Sequence, residues 1–160
     1  MQGRNEVSLA LKTVLTPAPE RLEPPTTDEA EPRLNISVVF TSVDATVAAL
    51  REAGALASRL GGNITLVVTQ AVPYPLPLES PPVLLDFSER RFRAIAEQSP
   101  VETMVHIYLC RDSVETLETV LKPQSLVVVG GRKRWWPTSE KRLARKLRGA
   151  GHEVIFAEME

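Results

Sequence analysis

From residue 35 onward, short apolar runs alternate with amphipathic segments. The runs are rich in β-branched residues, which is typical of buried strands. The segments between them carry apolar residues at helical spacing, as at Ala49, Ala53, Leu56 and Leu60. The strand-like runs are NISVVFTSV, NITLVVTQAV, VETMVHIYLC, SLVVVGG and HEVIFAEME.

This alternation predicts an α/β fold. Strands that are apolar along nearly their whole length are buried on both faces, and strands separated by helices run parallel. We therefore expect a doubly wound, mostly parallel sheet of five strands with helices on both faces and right-handed crossovers.

Helix ends are marked by capping residues. Asp86 followed by Glu89, and Asp112 followed by Glu115, have the spacing of a capping box, so each Asp is a predicted N-cap. Gly61 is a predicted C-terminal stop for the first helix. These acidic residues are explained by capping and are not treated as catalytic carboxylates.

Residues 1–34 differ from the rest of the chain. Five prolines and several charges lie in TPAPERLEPPTTDEAEPR, where Leu22 is the one large apolar residue, so this stretch has little apolar area to bury. The segment EVSLALKTVL before it is compatible with a short helix or strand, and we expect it to be marginal alone. The predicted organisation is a flexible tail over 1–34 and one domain over 35–160.

Composition narrows the class of protein. The formal net charge is −1 and there is one cysteine, Cys110, so no disulfide forms within the chain. The N-terminus lacks the apolar core of a signal peptide, and no apolar run approaches membrane-spanning length, so a cytoplasmic protein is expected. Cys110 is interpreted as a core residue, and two isolated histidines, His106 and His152, predict no metal site.

Residues 35–158 resemble the universal stress protein family. The resemblance rests on ALREAGALASRLGGNITLVV, on SVETLETV before SLVVVGGR, and on a final helix followed by GHEVIFAE. It implies the strand order 3-2-1-4-5, counted from residue 35. It also implies a homodimer formed through the last strand, at Glu153, Val154, Ile155 and Phe156.

Some members of that family bind ATP through an Asp that ends the first strand and a glycine-rich run after the fourth. The first glycine of that run corresponds to Gly130, but the second falls on Lys133 and the Asp falls on Thr41. The chain thus resembles a divergent member that lacks most of the ATP-binding motif. No cofactor is expected, and ATP or another adenine nucleotide is the alternative.

A ligand crevice in an open α/β sheet lies at the carboxyl ends of the strands, where the strand order reverses. For the implied order this point lies between the first and fourth strands of the domain. Backbone N–H groups, hydroxyls and cations could hold an anion there. The candidate nucleotide- or anion-binding residues are Thr41, Ser42, Asp44, Gly130, Gly131, Arg132, Lys133, Thr138 and Ser139.

Simpler interpretations remain open at the same positions. Gly130 and Gly131 could form a strand-to-loop turn beside solvated cations, and a packing role is favoured for Trp135 and Trp136. The leading functional hypothesis is a non-enzymatic, dimeric regulatory or interaction module with a protein partner. The first alternative is a nucleotide-binding protein with a modified phosphate loop at 130–139. The second is nucleic-acid contact through the basic final helix, against which the neutral net charge argues.

Overall fold

The computed structural model describes residues 8–15, 34–78 and 85–160, and the following elements lie within them. The strands are β1 (Ser8–Leu15), β2 (Asn35–Val39), β3 (Asn63–Ala71), β4 (Thr103–Cys110), β5 (Leu126–Arg132) and β6 (Glu153–Met159). The helices are α1 (Val43–Leu60), α2 (Leu85–Ala96), α3 (Ser113–Val120) and α4 (Ser139–Gly149).

The strands form one sheet in the order β1-β4-β3-β2-β5-β6. The five strands from β2 to β6 are parallel to their neighbours, and counted from β2 their order is 3-2-1-4-5. The predicted fold class and strand order are therefore confirmed. The reversal of strand order lies at β2, which pairs with β3 on one side and β5 on the other.

β1 was not among the five predicted strands. It pairs antiparallel with β4, from Ser8 opposite Cys110 to Leu15 opposite Met104. The sequence was compatible with either a helix or a strand for this segment. An edge strand depends on its pairing partner, and no local pattern specifies that partner. The rest of the predicted tail, at 1–7 and 16–33, lies outside the described residues, and its flexibility stays a prediction.

Two hydrophobic cores lie on opposite faces of the sheet. One packs α1 and α2 against the sheet, with Leu50 and Phe92 of these helices among its buried members. The other packs α3 and α4 against the opposite face through Leu117 and Leu147. Consecutive residues of β5 alternate between them, since Val128 belongs to the first core while its neighbours belong to the second.

Of the three helix termini predicted from the sequence, two are confirmed and one is wrong. Asp112 caps α3 as predicted, because its side chain accepts a hydrogen bond from the Glu115 N–H at 2.9 Å. α1 ends at Gly61, which has φ of 72°, a left-handed conformation that glycine adopts at little cost. The predicted N-cap at Asp86 is wrong, since α2 already begins at Leu85 and Asp86 lies in its first turn. A carboxylate in the first turn still stabilises α2, because it interacts favourably with the positive end of the helix dipole.

None of the helices in the described ranges has both the length and the apolar character needed to cross a bilayer.

Candidate functional site

The carboxyl ends of β2 and β5 are joined by Thr41. Its hydroxyl donates a hydrogen bond to the carbonyl oxygen of Gly130 at 3.1 Å. Its backbone N–H donates to the hydroxyl of Thr46, in the first turns of α1, also at 3.1 Å. Thr41 therefore connects both strands and the following helix at the point where a crevice is expected.

Gly130 lies against the backbone of α1. A Cβ atom at Gly130 would come within 2.0 Å of the Ala45 carbonyl oxygen and 2.7 Å of the Ala45 carbonyl carbon. Since real Cβ contacts are never this short, glycine is required here by the close approach of helix and strand. The space next to Gly130 on this face is occupied by protein backbone.

Gly131 serves packing on the other face of the sheet. A Cβ there would lie 2.5 Å from Cζ of Phe156 and 3.1 Å from the Cβ of Glu140. Glycine thus lets the Phe156 ring and the start of α4 approach β5. Both glycines lie within β5, in register with Ala157 and Glu158 of β6. They do not form the turn that the sequence suggested.

The chain continues along β6 beyond the glycines. Arg132 is in register with Met159, and the Lys133 N–H donates to the Met159 carbonyl oxygen at 2.9 Å. The side chains of Arg132 and Lys133 are exposed. An anion at this position would therefore meet side-chain cations, while the Lys133 amide is already bonded within the sheet.

Each of the candidate hydroxyls at 42, 138 and 139 has a role at a helix N-terminus. Ser42 caps α1 and accepts from the Ala45 N–H at 3.3 Å. Thr138 caps α4 and accepts from the Lys141 N–H at 3.2 Å, and Ser139 donates to the Glu140 carboxylate at 2.9 Å. The Ser42 and Thr138 hydroxyls thus accept from N–H groups at the helix ends that would otherwise lack partners within the helix.

The candidate residues form two groups rather than one. Thr41, Ser42 and Gly130 meet at the start of α1, where Asp44 is exposed in the first turn. The residues around Gly131 and those at 138–139 belong to the start of α4, which packs on the opposite face. Their role in binding a nucleotide or anion stays a prediction.

Ala45 and Thr46 are parts of this arrangement that the sequence did not indicate. Ala45 supplies the carbonyl that meets Gly130, and the Thr46 hydroxyl accepts from the Thr41 N–H. Thr46 is fully buried, and a buried hydroxyl requires a partner of this kind. A threonine in an otherwise apolar helix stripe is the one available signal, and it does not identify the partner.

The two tryptophans after β5 are both exposed, which corrects the favoured packing role. Trp135 is 89% exposed and Trp136 is 43% exposed. Their rings meet edge to face at 5.3 Å, and the Arg134 guanidinium lies 5.1 Å from the Trp136 ring centre. The loop between β5 and α4 thus presents aromatic rings and cations to solvent.

Among the residues that the structure describes, no cluster of three or more His, Cys, Asp or Glu side chains could hold a metal ion.

Comparison with known proteins bears on the fold. No protein-family model matches the sequence, and no curated protein matches it. The universal stress protein from Archaeoglobus fulgidus superposes with a TM-score of 0.53 at 19% sequence identity, over 77% of this chain and 92% of that chain. The chain has the fold of a universal stress protein.

A second structure of a universal stress protein from Archaeoglobus fulgidus, in complex with dAMP, matches with a TM-score of 0.48 at 17% identity. It covers 78% of this chain and 96% of that chain. β1 is an addition to the five-stranded order that the sequence resemblance implied.

Proposed function

We propose that this chain is a non-enzymatic interaction module with the universal stress protein fold, which works as a dimer and without a bound nucleotide. The observation that carries the proposal is the contact between β2, β5 and α1. The Thr41 hydroxyl bonds the Gly130 carbonyl, and the Gly130 backbone touches the Ala45 carbonyl. These contacts bring protein atoms close together at the carboxyl ends of β2 and β5, where a crevice is expected in this class of sheet, and so support the proposal that no nucleotide binds there.

The chemistry of phosphate binding supports the same proposal. A phosphate cradle needs several backbone N–H groups that point at the anion and small residues that let it approach. Here the Lys133 N–H is bonded to Met159, and large residues follow from Arg132 to Trp136. To form a phosphate cradle, Lys133 would have to break its hydrogen bond to Met159, and Thr41 would have to break its hydrogen bond to Gly130.

Titration calorimetry and thermal-shift measurements with ATP, ADP, AMP and cyclic dinucleotides at millimolar concentration test this proposal. We expect no heat of binding and no shift in melting temperature. Native mass spectrometry of freshly purified protein should show no copurified nucleotide. A nucleotide that binds stoichiometrically would overturn the proposal that the module works without one.

A nucleotide site built from side chains is the competing proposal. The specific observation in its favour is that Arg132 and Lys133 are exposed directly after β5, where each could contact a phosphate. If nucleotide binds, the double variant Arg132→Gln/Lys133→Gln should lose that binding. The matched control is Arg51→Gln/Arg59→Gln, which removes two exposed cations from α1. Equal loss in both variants would show that the effect is one of net charge.

The dimer is proposed to form through the side of β6 that faces away from β5, where the described residues place no further strand. The Glu153 N–H bonds the Ser125 carbonyl and the Lys133 N–H bonds the Met159 carbonyl, so the odd-numbered residues of β6 face β5. In a parallel ladder the even-numbered N–H and C=O groups then point away from β5. One of them is already engaged, since Arg148 donates to the Val154 carbonyl at 3.2 Å. The outward N–H and C=O groups of Phe156 and Glu158, which bond to no other described residue, are proposed to pair with a second copy.

The dimer is tested by light scattering on the wild-type chain and on two variants of Glu158. Glu158→Pro removes an outward N–H without removing a bond to β5, so we expect it to be a monomer. Glu158→Ala keeps the N–H and should remain a dimer. A wild-type chain that is monomeric at high concentration would contradict the dimer without bearing on nucleotide binding.

A further inference from the structure

The loop between β5 and α4 carries the most exposed aromatic ring among the described residues. Trp135 is 89% exposed, and its ring meets the Trp136 ring at an interplanar angle of 84°. The Arg134 guanidinium lies over the Trp136 ring. A ring held in this way, with its own surface in water, is suited to stacking against a flat partner.

Charge is concentrated at the same place. Residues 132–148 contain eight Lys or Arg residues and one acid, Glu140, although the net charge of the whole chain is −1. The Glu140 carboxylate accepts a hydrogen bond from Ser139. The electrostatic potential at this loop and helix is therefore positive, although the net charge of the whole chain is close to zero.

The cations continue from the loop along the solvent side of α4. Arg142, Arg145 and Lys146 are all exposed and have the i, i+3, i+4 spacing that places them on one helix face. Ala144 and Leu147 occupy the buried side. Arg142 and Lys146 lie four residues apart, which is about 6 Å along the helix axis, so the three cations form a short line on α4.

The loop is fixed to the helix. Lys141 Nζ donates to the Arg134 carbonyl oxygen, and the Thr138 side chain caps α4. The aromatic and the basic parts are therefore held in one arrangement. We call Arg134, Trp135, Trp136, Arg142, Arg145 and Lys146 together the cation–tryptophan surface.

We propose that the cation–tryptophan surface binds single-stranded nucleic acid. One base stacks on Trp135, and the phosphates that follow lie along Arg142, Arg145 and Lys146. Single strands offer unpaired base faces and a flexible chain of phosphates, which together match an exposed ring next to a line of cations. This inference does not depend on the proposed function, since it uses neither the carboxyl ends of β2 and β5 nor the side of β6 that faces away from β5.

Other anionic partners fit less well. A bilayer surface would need apolar side chains to insert along the basic face, whereas the exposed large apolar side chains of this surface, Trp135 and Trp136, lie in the loop and none lies on α4. A duplex keeps its bases stacked on one another, so Trp135 would have no base face to contact. The observations thus favour a single strand over both.

Fluorescence provides a direct measurement. Trp135 and Trp136 are the chain's two tryptophans, so quenching of intrinsic fluorescence reports on this surface alone. We expect quenching by single-stranded oligonucleotides of about 12 nucleotides, within the site sizes of about 4–16 known for single-strand-binding folds. Anisotropy of a labelled strand should give the same affinity. That affinity should fall as salt rises from about 50 to 200 mM, because phosphate contacts release counterions.

Two variants separate the stacking and the charge contributions. Trp135→Ala should lower affinity about 5- to 150-fold, the range for one stacked base, and leave the salt slope unchanged. Arg142→Gln/Arg145→Gln should reduce the slope of log K against log salt by about 1.4, since each phosphate contact contributes about 0.7 for single strands. The control Arg51→Gln/Arg59→Gln, on the opposite face, should keep the wild-type slope. All these side chains are exposed, and circular dichroism checks that each variant folds.

The proposal is overturned by several outcomes. These are no binding at low salt, equal affinity for duplex and single strand, or an equal effect of the α1 control. Binding to anionic lipid vesicles without binding to oligonucleotides would assign the surface to a membrane instead and would also overturn it.

Discussion

The Thr41 hydroxyl and the Gly130 carbonyl oxygen lie 3.1 Å apart and form a hydrogen bond that joins β2 to β5. These strands are sheet neighbours but lie far apart in sequence, with Val39 opposite Val129 at the end of their ladder. The bond extends the ladder by one side-chain contact at the point where the strand order reverses. It thereby ties the carboxyl ends of the two strands to each other.

Removal of the Thr41 hydroxyl should destabilise the protein. Thr41→Val keeps the shape but leaves the Gly130 carbonyl without this donor, and we expect a loss of about 1 kcal/mol in the free energy of unfolding. Thr41→Ser keeps the hydroxyl and should lose less. Urea unfolding followed by circular dichroism measures both. Equal stability of the Val variant and the wild type would show that the bond contributes nothing.

A side chain at Gly130 should be poorly tolerated. Gly130→Ala places a Cβ 2.0 Å from the Ala45 carbonyl oxygen, and backbone atoms cannot move aside as a flexible side chain can. We expect a loss of about 1–3 kcal/mol, as for other overpacked sites. The matched control is Gly149→Ala, where nothing lies within 4 Å. That helical position should be neutral or gain up to about 1 kcal/mol.

Cys110 should be unreactive in the folded protein. It is 0% exposed, and its sulfur lies 3.9 Å from the Gln70 carbonyl oxygen and 3.9 Å from the Ser113 hydroxyl. A thiol reagent should therefore modify it at a rate that rises through the urea unfolding transition. Modification of the native protein as fast as of the unfolded chain would contradict this burial.

His106 should make stability depend on pH. Burial lowers the pKa of His106 below its ordinary value of 6.5, and the ring contacts the Met104 sulfur at 3.0 Å and the Tyr108 hydroxyl at 3.4 Å. As pH falls below 6.5, the unfolded chain binds a proton before the folded one does. The free energy of unfolding should then decrease.

The matching variant is His106→Gln, which cannot take up that proton. Urea unfolding at neutral pH and just below pH 6.5 should show a shallower decrease for this variant than for the wild type. Identical decreases in the two proteins would assign the effect to other groups.

The repeating pattern of strands and helices was sufficient to predict the parallel sheet, because each strand is long, apolar and separated from the next by a helix. The resemblance supplied the strand order. The N-cap at Asp112 could be predicted because the donor, the Glu115 N–H, lies three residues along the chain. In each of these cases the signal is local or repeats along the chain.

The arrangement at the candidate site could not be predicted from local or repeating sequence signals. A glycine leaves space, but whether a ligand or the backbone at Ala45 fills it depends on the distance between α1 and β5. The exposure of Trp135 and Trp136 depends on the path of the loop after its last hydrogen bond to β6. β1 likewise requires the edge of β4. These are long-range features, and no short sequence pattern encodes them.

The residues of β5 alternate between the two hydrophobic cores, and this couples the unfolding of the two helix layers. Val128 belongs to one core and Val127 and Val129 to the other, so the same strand supports both faces. Neither helix layer can detach without exposing residues whose neighbours hold the opposite layer in place. Denaturation should therefore remove both layers in one step, and the amide protons of β5 should be among the last to exchange with solvent.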